Sequence, residues 1–247
     1  FLRVTEPSLD RLAQEFADDM TSLLRGVLGE DTPQFHAVNI DPGRKIRLQP
    51  MGDDNVARPI PIKISGEVRM GLLVTFDCCW DGSSTFLATD ESEVHVFYAD
   101  ATDPLFRFEY VRSGEDPPGA HIHVHAHRDE VAYLLRLADT GRPKAGLRKN
   151  RLPRLAEIHL PVGGHRMRPA LEDVLLFLKR EFAIETVPGW QKAIEDHVRK
   201  WRDTQLRSAV RDSPEAAAEV LRALKYRVEP PAVPPQRGGT TPKLYLP

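Results

Sequence analysis

The chain has 247 residues, 41% of them hydrophobic and 28% charged, which is enough apolar content for a buried core and excludes a fibrous or globally disordered polymer. Lys plus Arg number 34 against 36 Asp plus Glu, a formal charge of -2, so no global field draws the chain to nucleic acid or to an acidic membrane, and any such attraction must be local. With 21 prolines and 16 glycines, many breaks between short elements are expected.

In chain order, Leu9, Leu12, Phe16, Met20, Leu23, Leu24 and Val27 recur at spacings of three and four, which predicts an amphipathic helix over residues 8–28 with Ser8 as cap and Gly29 as stop. That N-terminal region carries Glu6 and Asp10 where a signal peptide needs an apolar run, and no stretch approaches the ~18 apolar residues of a membrane helix. From about residue 44 to 126 the period becomes two. KIRLQ, IPIKIS, RMGLLVTFDCCW, STFLAT, EVHVFYA, PLFRFEYVR and AHIHVHAH are short alternating runs separated by turn residues, which predicts an antiparallel sheet. Alternation assigns Val94, Val96 and Tyr98 to the core in one strand, and Ile122, Val124 and Ala126 in another. Cys78 and Cys79 are adjacent, so an ordinary disulfide between them is not expected, and a core role fits better than a reactive one; with no membrane segment, this reads as a cytoplasmic protein.

A short helix is expected at 128–138, and then a basic connector, residues 142–154, holds six cations and no acid. RLAEIHLP reads as one more strand. Pro169 opens a helix over about 169–182, with Leu171, Val174, Leu175, Leu178 and Phe182 on one face, acids early and cations late. Residues 189–211 predict a second amphipathic helix, with Trp190 and Trp201 as packing residues. Ser213-Pro214 starts a third helix on Ala217, Val220, Leu221 and Leu224, able to pair with the second as a hairpin. The expected fold is α+β: an antiparallel β-sheet packed by an N-terminal helix and C-terminal helices. Its parts are an α+β domain over 1–186, a helical hairpin over 187–228 and a Pro-rich C-terminal tail over 229–247, extended across the surface or mobile.

The feature that composition does not explain is GAHIHVHAHRDE, in which His121, His123, His125 and His127 stand at strict spacing of two. On a strand the four imidazoles share one face, roughly 6.5 to 7 Å apart. If this strand pairs with EVHVFYA and RLAEIHLP, His95, His159, Glu93 and Glu157 join the same face. Imidazole is a good ligand for Zn, Mn, Fe or Ni, and two histidines at i and i+2 reach one ion from the same side. His123, His125, Glu130 and His159 are the ligand set this suggests, with the four ladder histidines as catalytic candidates. A solvated polar face of a half-exposed strand accounts for the same spacing.

Two family patterns touch the segment. HIHVHA resembles the histidine-triad nucleotide-binding signature, which implies His123 as a nucleophile on phosphorus; His127 stands where that pattern has an apolar residue, and its preceding Asn, Gly and Gln positions are unmatched. His123-x-His125 followed by Glu130 resembles the first cupin motif, and Pro161-x-Gly163 with His165 the second, which implies a metal-binding barrel; His165 falls one residue early and the intervening segment reads partly as helix. No Walker motif, dinucleotide fingerprint, HExxH, Gly-x-Ser-x-Gly elbow or paired CxxC occurs.

Arg142, Lys144, Arg148, Lys149 and Arg151, together with His165, Arg166 and Arg168 after Gly163-Gly164, form the best local anion surface, a place for RNA, a nucleotide or an acidic protein. An ordinary glycine turn and a solvated loop explain the same residues. The function expected from the ladder is a metal-dependent or histidine-based hydrolase, such as a phosphodiesterase acting on a nucleotide or RNA. The alternatives are a non-catalytic bacterial macromolecule-binding module, for example a toxin-antitoxin component, and a cupin-like metal-binding protein.

Overall fold

The computed structural model describes residues 8–52, 54–99, 101–114, 117–125, 160–162, 164–232 and 243–245. Helix α1 (Leu9–Leu28) begins as its sequence dictates: Ser8 Oγ accepts from Arg11 N at 3.2 Å, and Gly29 at φ 110° ends the helix with its N–H on the Arg25 carbonyl. Among the described residues, eight strands form one sheet, with every pairing antiparallel. These are β1 (Gln34–Asp41), β2 (Lys45–Met51), β3 (Ile60–Ile64), β4 (Glu67–Trp80), β5 (Leu87–Tyr98), β6 (Pro104–Val111), β7 (Ala120–Val124) and β8 (Leu160–Pro161). Their order is β1-β2-β4-β5-β6-β7-β8, with β3 pairing β4 beside β2. Four helices follow: α2 (Gly164–Met167), α3 (Leu171–Phe182), α4 (Trp190–Asp212) and α5 (Pro214–Ala223). The α+β class read from the sequence is the observed one.

One face of the sheet carries the core. Leu23 and Leu24 of α1, Ile46, Leu48, Leu72, Val74, Val94 and Val96 of the strands, and Leu175 and Leu178 of α3 belong to one buried cluster. Phe177 of α3 lies edge-on to Phe106 and Phe108 of β6, with ring centroids 5.3 and 6.1 Å apart. The other face is polar. Arg47 of β2 makes a bidentate pair with Asp77 of β4 at 2.7 and 2.8 Å, and Lys45 reaches Asp90 and Glu91 at 3.0 and 3.1 Å. Two faces of opposite character are what a period of two produces when one face docks on helices.

Several local expectations need correction. β1 lies ahead of the first strand expected, and STFLAT and EVHVFYA run together as β5. Tyr98 is 56% exposed rather than in the core. The β5–β6 register shifts between Val96 and Phe97, and Ala99 turns at φ 38°, so the alternation ends before Tyr98. None of the residues of α5 is buried, and Val220, Leu221 and Leu224 face outward. Part of the tail is docked: Lys243–Tyr245 form a 3-10 turn in which Leu244 N donates to Asp212 of α4 at 3.1 Å. Cys78 is buried and both cysteines are free, with burial pushing the Cys78 thiol up to about 12. No described helix is long and apolar enough to cross a membrane.

Candidate metal centre

The site is built on the polar face where β5, β6 and β7 run side by side. Strand β6, not foreseen between the other two, places Glu109 directly opposite His121 and Arg107 directly opposite His123. On its other edge, Glu109 stands opposite Glu93 and Arg107 opposite His95. Two lateral rows result, Glu93–Glu109–His121 and His95–Arg107–His123. Phe106 and Phe108, which alternate with Arg107 and Glu109, pack on the core, and Ile122 stands opposite Phe108.

His121 and His123 are not a solvated ladder: they are 2% and 3% exposed, and their ring centroids are 5.0 Å apart, closer than a flat strand would hold them. Both Nε2 atoms converge on one oxygen, Glu109 Oε2, at 3.1 and 3.2 Å. The three residues each present one ligand atom, and these atoms all lie within 4.8 Å of one another.

The His121 tautomer sharpens the picture. Its Nδ1 lies 2.8 Å from the Pro118 carbonyl, which can only accept, so Nδ1 carries the proton. In a neutral ring Nε2 is then a lone pair facing a carboxylate lone pair, a repulsive pairing unless a cation or an additional proton lies between them. A metal-ligating histidine characteristically donates its other N–H to a backbone carbonyl or carboxylate, as His121 does. Ligand bonds of about 2.0 to 2.1 Å in a tetrahedron separate donor atoms by roughly 3.3 Å, and the observed separations of 3.1 and 3.2 Å fall close to that.

Electrostatics around Glu109 favour its ionised form. Burial alone would push the carboxyl up, but His121 and His95 facing it, with the charges of Arg107 and His123, hold it well below the usual carboxylate range. Arg107 lies 3.3 Å from Glu109 Oε1, and His95 Nε2 is 3.5 Å from the same oxygen. Among the described residues, Arg107 Nε, His95 Nε2 and His125 Nε2 are buried nitrogens with no hydrogen-bond partner. His125 lies just past the end of β7, with its N–H on the Leu105 carbonyl at 2.9 Å, and burial first, then Arg107 and His123, push its imidazole down.

The structure thus brings together His121 and His123 from the ladder and leaves His125 beside them. His127, Glu130, Glu157 and His159 lie outside the described residues, as do Arg142, Lys144, Arg148, Lys149 and Arg151. His165, of the second cupin-like segment, packs on Tyr110, and Tyr110 follows Glu109 in β6, so His165 is on the opposite sheet face. Arg166 and Arg168 lie near His165 rather than near the ladder. Glu109 was not among the residues singled out from the sequence. Its signal was the alternation of Arg107 and Glu109 with Phe106, Phe108 and Tyr110 in PLFRFEYVR, which puts a carboxylate on the same kind of face as the histidines.

Comparison with protein-family models, with curated proteins and with solved structures gives no match for the chain.

Proposed function

We propose that Glu109, His121 and His123 hold one divalent transition-metal ion, zinc being the best chemical fit, and that this centre hydrolyses a phosphate ester. The observation that carries the reading is the convergence of two buried imidazole nitrogens on one carboxylate oxygen, with His121 fixed as the Nδ1–H tautomer by the Pro118 carbonyl. Two imidazoles and a carboxylate are the donor types of catalytic zinc sites, in which three protein ligands leave a position for water. Mn, Fe and Ni accept the same donors.

An ion held there would supply two things, a water activated to a pKa of about 7 and a Lewis acid for a phosphoryl oxygen. Water would form the new bond to phosphorus, the bond to the leaving oxygen would break, and that oxygen would take up a proton from solvent. Arg107 supports a phosphate ester as substrate: its Nε is buried with no hydrogen-bond partner among the described residues, and it stands directly opposite both His95 and His123. A guanidinium beside the metal would take the negative charge that develops on the phosphoryl oxygens. A nucleotide or RNA is the substrate class that presents such an ester.

The test uses bis(p-nitrophenyl) phosphate and a 2′,3′-cyclic nucleotide with zinc-loaded protein, with EDTA-treated protein, and with Glu109→Gln and Arg107→Gln. Turnover abolished by EDTA and by Glu109→Gln, and reduced on the order of 100-fold by Arg107→Gln, is expected. Absence of turnover in protein that binds one zinc would remove the hydrolase and leave a metal-binding centre.

A further inference from the structure

A second cluster of charge lies across the sheet from the metal centre. Tyr110 projects away from Glu109, and His165 Nδ1 lies 3.2 Å from its hydroxyl, with the two rings edge to face. The Arg168 guanidinium stacks on Tyr110 at 3.8 Å and faces Trp201 of α4 at 4.8 Å, while donating to the His165 carbonyl. Arg166 and Arg112 add positive charge around the same imidazole, Arg112 while donating to the Trp80 carbonyl and to Cys79 Sγ, each at 3.3 Å. Lys243 comes from the C-terminal 3-10 turn and donates to the Arg112 carbonyl at 3.2 Å.

Negative charge does not balance these cations. Asp212 is committed to Arg166, at 2.7 and 3.1 Å. Asp90 lies within the field of Lys243 but is 3.0 Å from Lys45. Among the described residues, Arg112, Arg168 and Lys243 have no carboxylate partner. Burial followed by Arg112 and Arg166 pushes Lys243 down to about 8, and burial pushes Arg168 down to about 10. His165 is 1% exposed, and among the described residues its Nε2 has no hydrogen-bond partner. Arg112, Arg166, Arg168 and Lys243 are half-buried, and like charges partly withdrawn from water without a counter-charge are costly unless an anion completes them.

We propose that Arg112, Arg166, Arg168, Lys243 and His165 form a binding site for a phosphate group, free or as a monoester. Three unpaired cations match a dianion better than a carboxylate, which would neutralise only one. Guanidinium forks and an ammonium are the side chains that grip phosphate oxygens. The C-terminal turn supplies Lys243, so the anion also pins the end of the chain against α4 and the β6–β7 turn. This site stands independently of the metal centre, because Tyr110 and Glu109 occupy opposite faces.

The test is titration calorimetry in EDTA at constant ionic strength, with inorganic phosphate, AMP and acetate as probes of the full chain. One phosphate or AMP per chain is expected, with no saturable binding of acetate. Tighter binding of AMP than of phosphate identifies a monoester as the fitting ligand, and equal affinity a free ion. Lys243→Gln should weaken either by about tenfold or more, Lys243→Arg should retain it, and Glu109→Gln should leave it unchanged. Thermal melts in chloride check that each variant is folded. Failure of both phosphate and AMP to bind saturably, acetate binding as well as phosphate, or Lys243→Gln leaving affinity intact would overturn the proposal.

Discussion

His121 does two things at once: its Nδ1–H is fixed on Pro118, and its Nε2 is presented to Glu109. Replacing it by Ala removes a proposed ligand, whereas Glu109→Gln keeps the size of the side chain and removes the anion on which both imidazoles converge. Either change should weaken zinc binding on the order of 100-fold or more, read by competition with a chromophoric chelator. His165 allows a different residue-scale prediction. Burial, then Lys243, Arg168, Arg166 and Arg112, depress its imidazole from 6.5 to about 4. The unfolded chain therefore binds a proton there before the folded chain does. The stability this group contributes is fully present above pH 6.5 and is lost as pH falls toward 4, at up to about 1.4 kcal/mol per pH unit. Urea denaturation in chloride buffer should show a shallower acid decline for His165→Asn than for the parent. Parallel curves would show that His165 is no more reluctant to protonate in the folded state than in the unfolded one.

At the scale of elements, helices that look equally amphipathic in sequence differ in what they bury. In α3, Leu175 is fully buried in the core, whereas Leu224 at the end of α5 is exposed. Leu175→Ala should cost about 2 to 5 kcal/mol and Leu224→Ala less than about 0.5 kcal/mol in equilibrium unfolding. The α1–α4 crossing gives a prediction that opposes helix propensity. A Cβ added at Gly26 would come within 2.7 Å of the Ala193 Cβ, a contact that no side-chain rotation relieves. Gly26→Ala, which improves an isolated helix by about 1 kcal/mol, should instead destabilise the protein by roughly 1 to 3 kcal/mol. A higher melting temperature for Gly26→Ala would mean that the two helices separate without cost.

For the molecule as a whole, period-two alternation made the antiparallel sheet legible and put His121 and His123 on one face of β7, because side-chain direction on a strand is a local property. Which face is the more buried was not legible, since Ile122 and Val124, expected in the core, are half-buried while both histidines are buried. Ser8 and Gly29 likewise marked the ends of α1, since capping chemistry is local. Register is less local than alternation. β5, β6 and β7 follow one another as a meander, but the register that sets Glu109 opposite His121 depends on the length of the connection between β6 and β7, so His121 and His123 stood out by their spacing while Glu109, twelve residues before His121, did not stand out among many acids. β1 was missed because QFHAVNID mixes polar and apolar residues without a clear period, as expected of an edge strand with most of its side chains exposed. The exposure of α5 was illegible for the same reason: a helix records which face is apolar, not whether another element covers it.

The proposed metal centre ties these scales together, since its donors come from β6 and β7 and would bind only when the two strands are paired. A ligand that binds only the folded state stabilises it, by about 2.7 kcal/mol at one hundred times its dissociation constant. The decisive measurement is therefore elemental analysis of tag-free protein dialysed against trace zinc, compared with a His121→Ala/His123→Ala variant shown to be folded. One zinc per chain in the parent and none in the variant is the expected result. Substoichiometric metal in the parent, or the same content in the variant, would contradict the centre and leave Glu109, His121 and His123 as a hydrogen-bonded charge cluster.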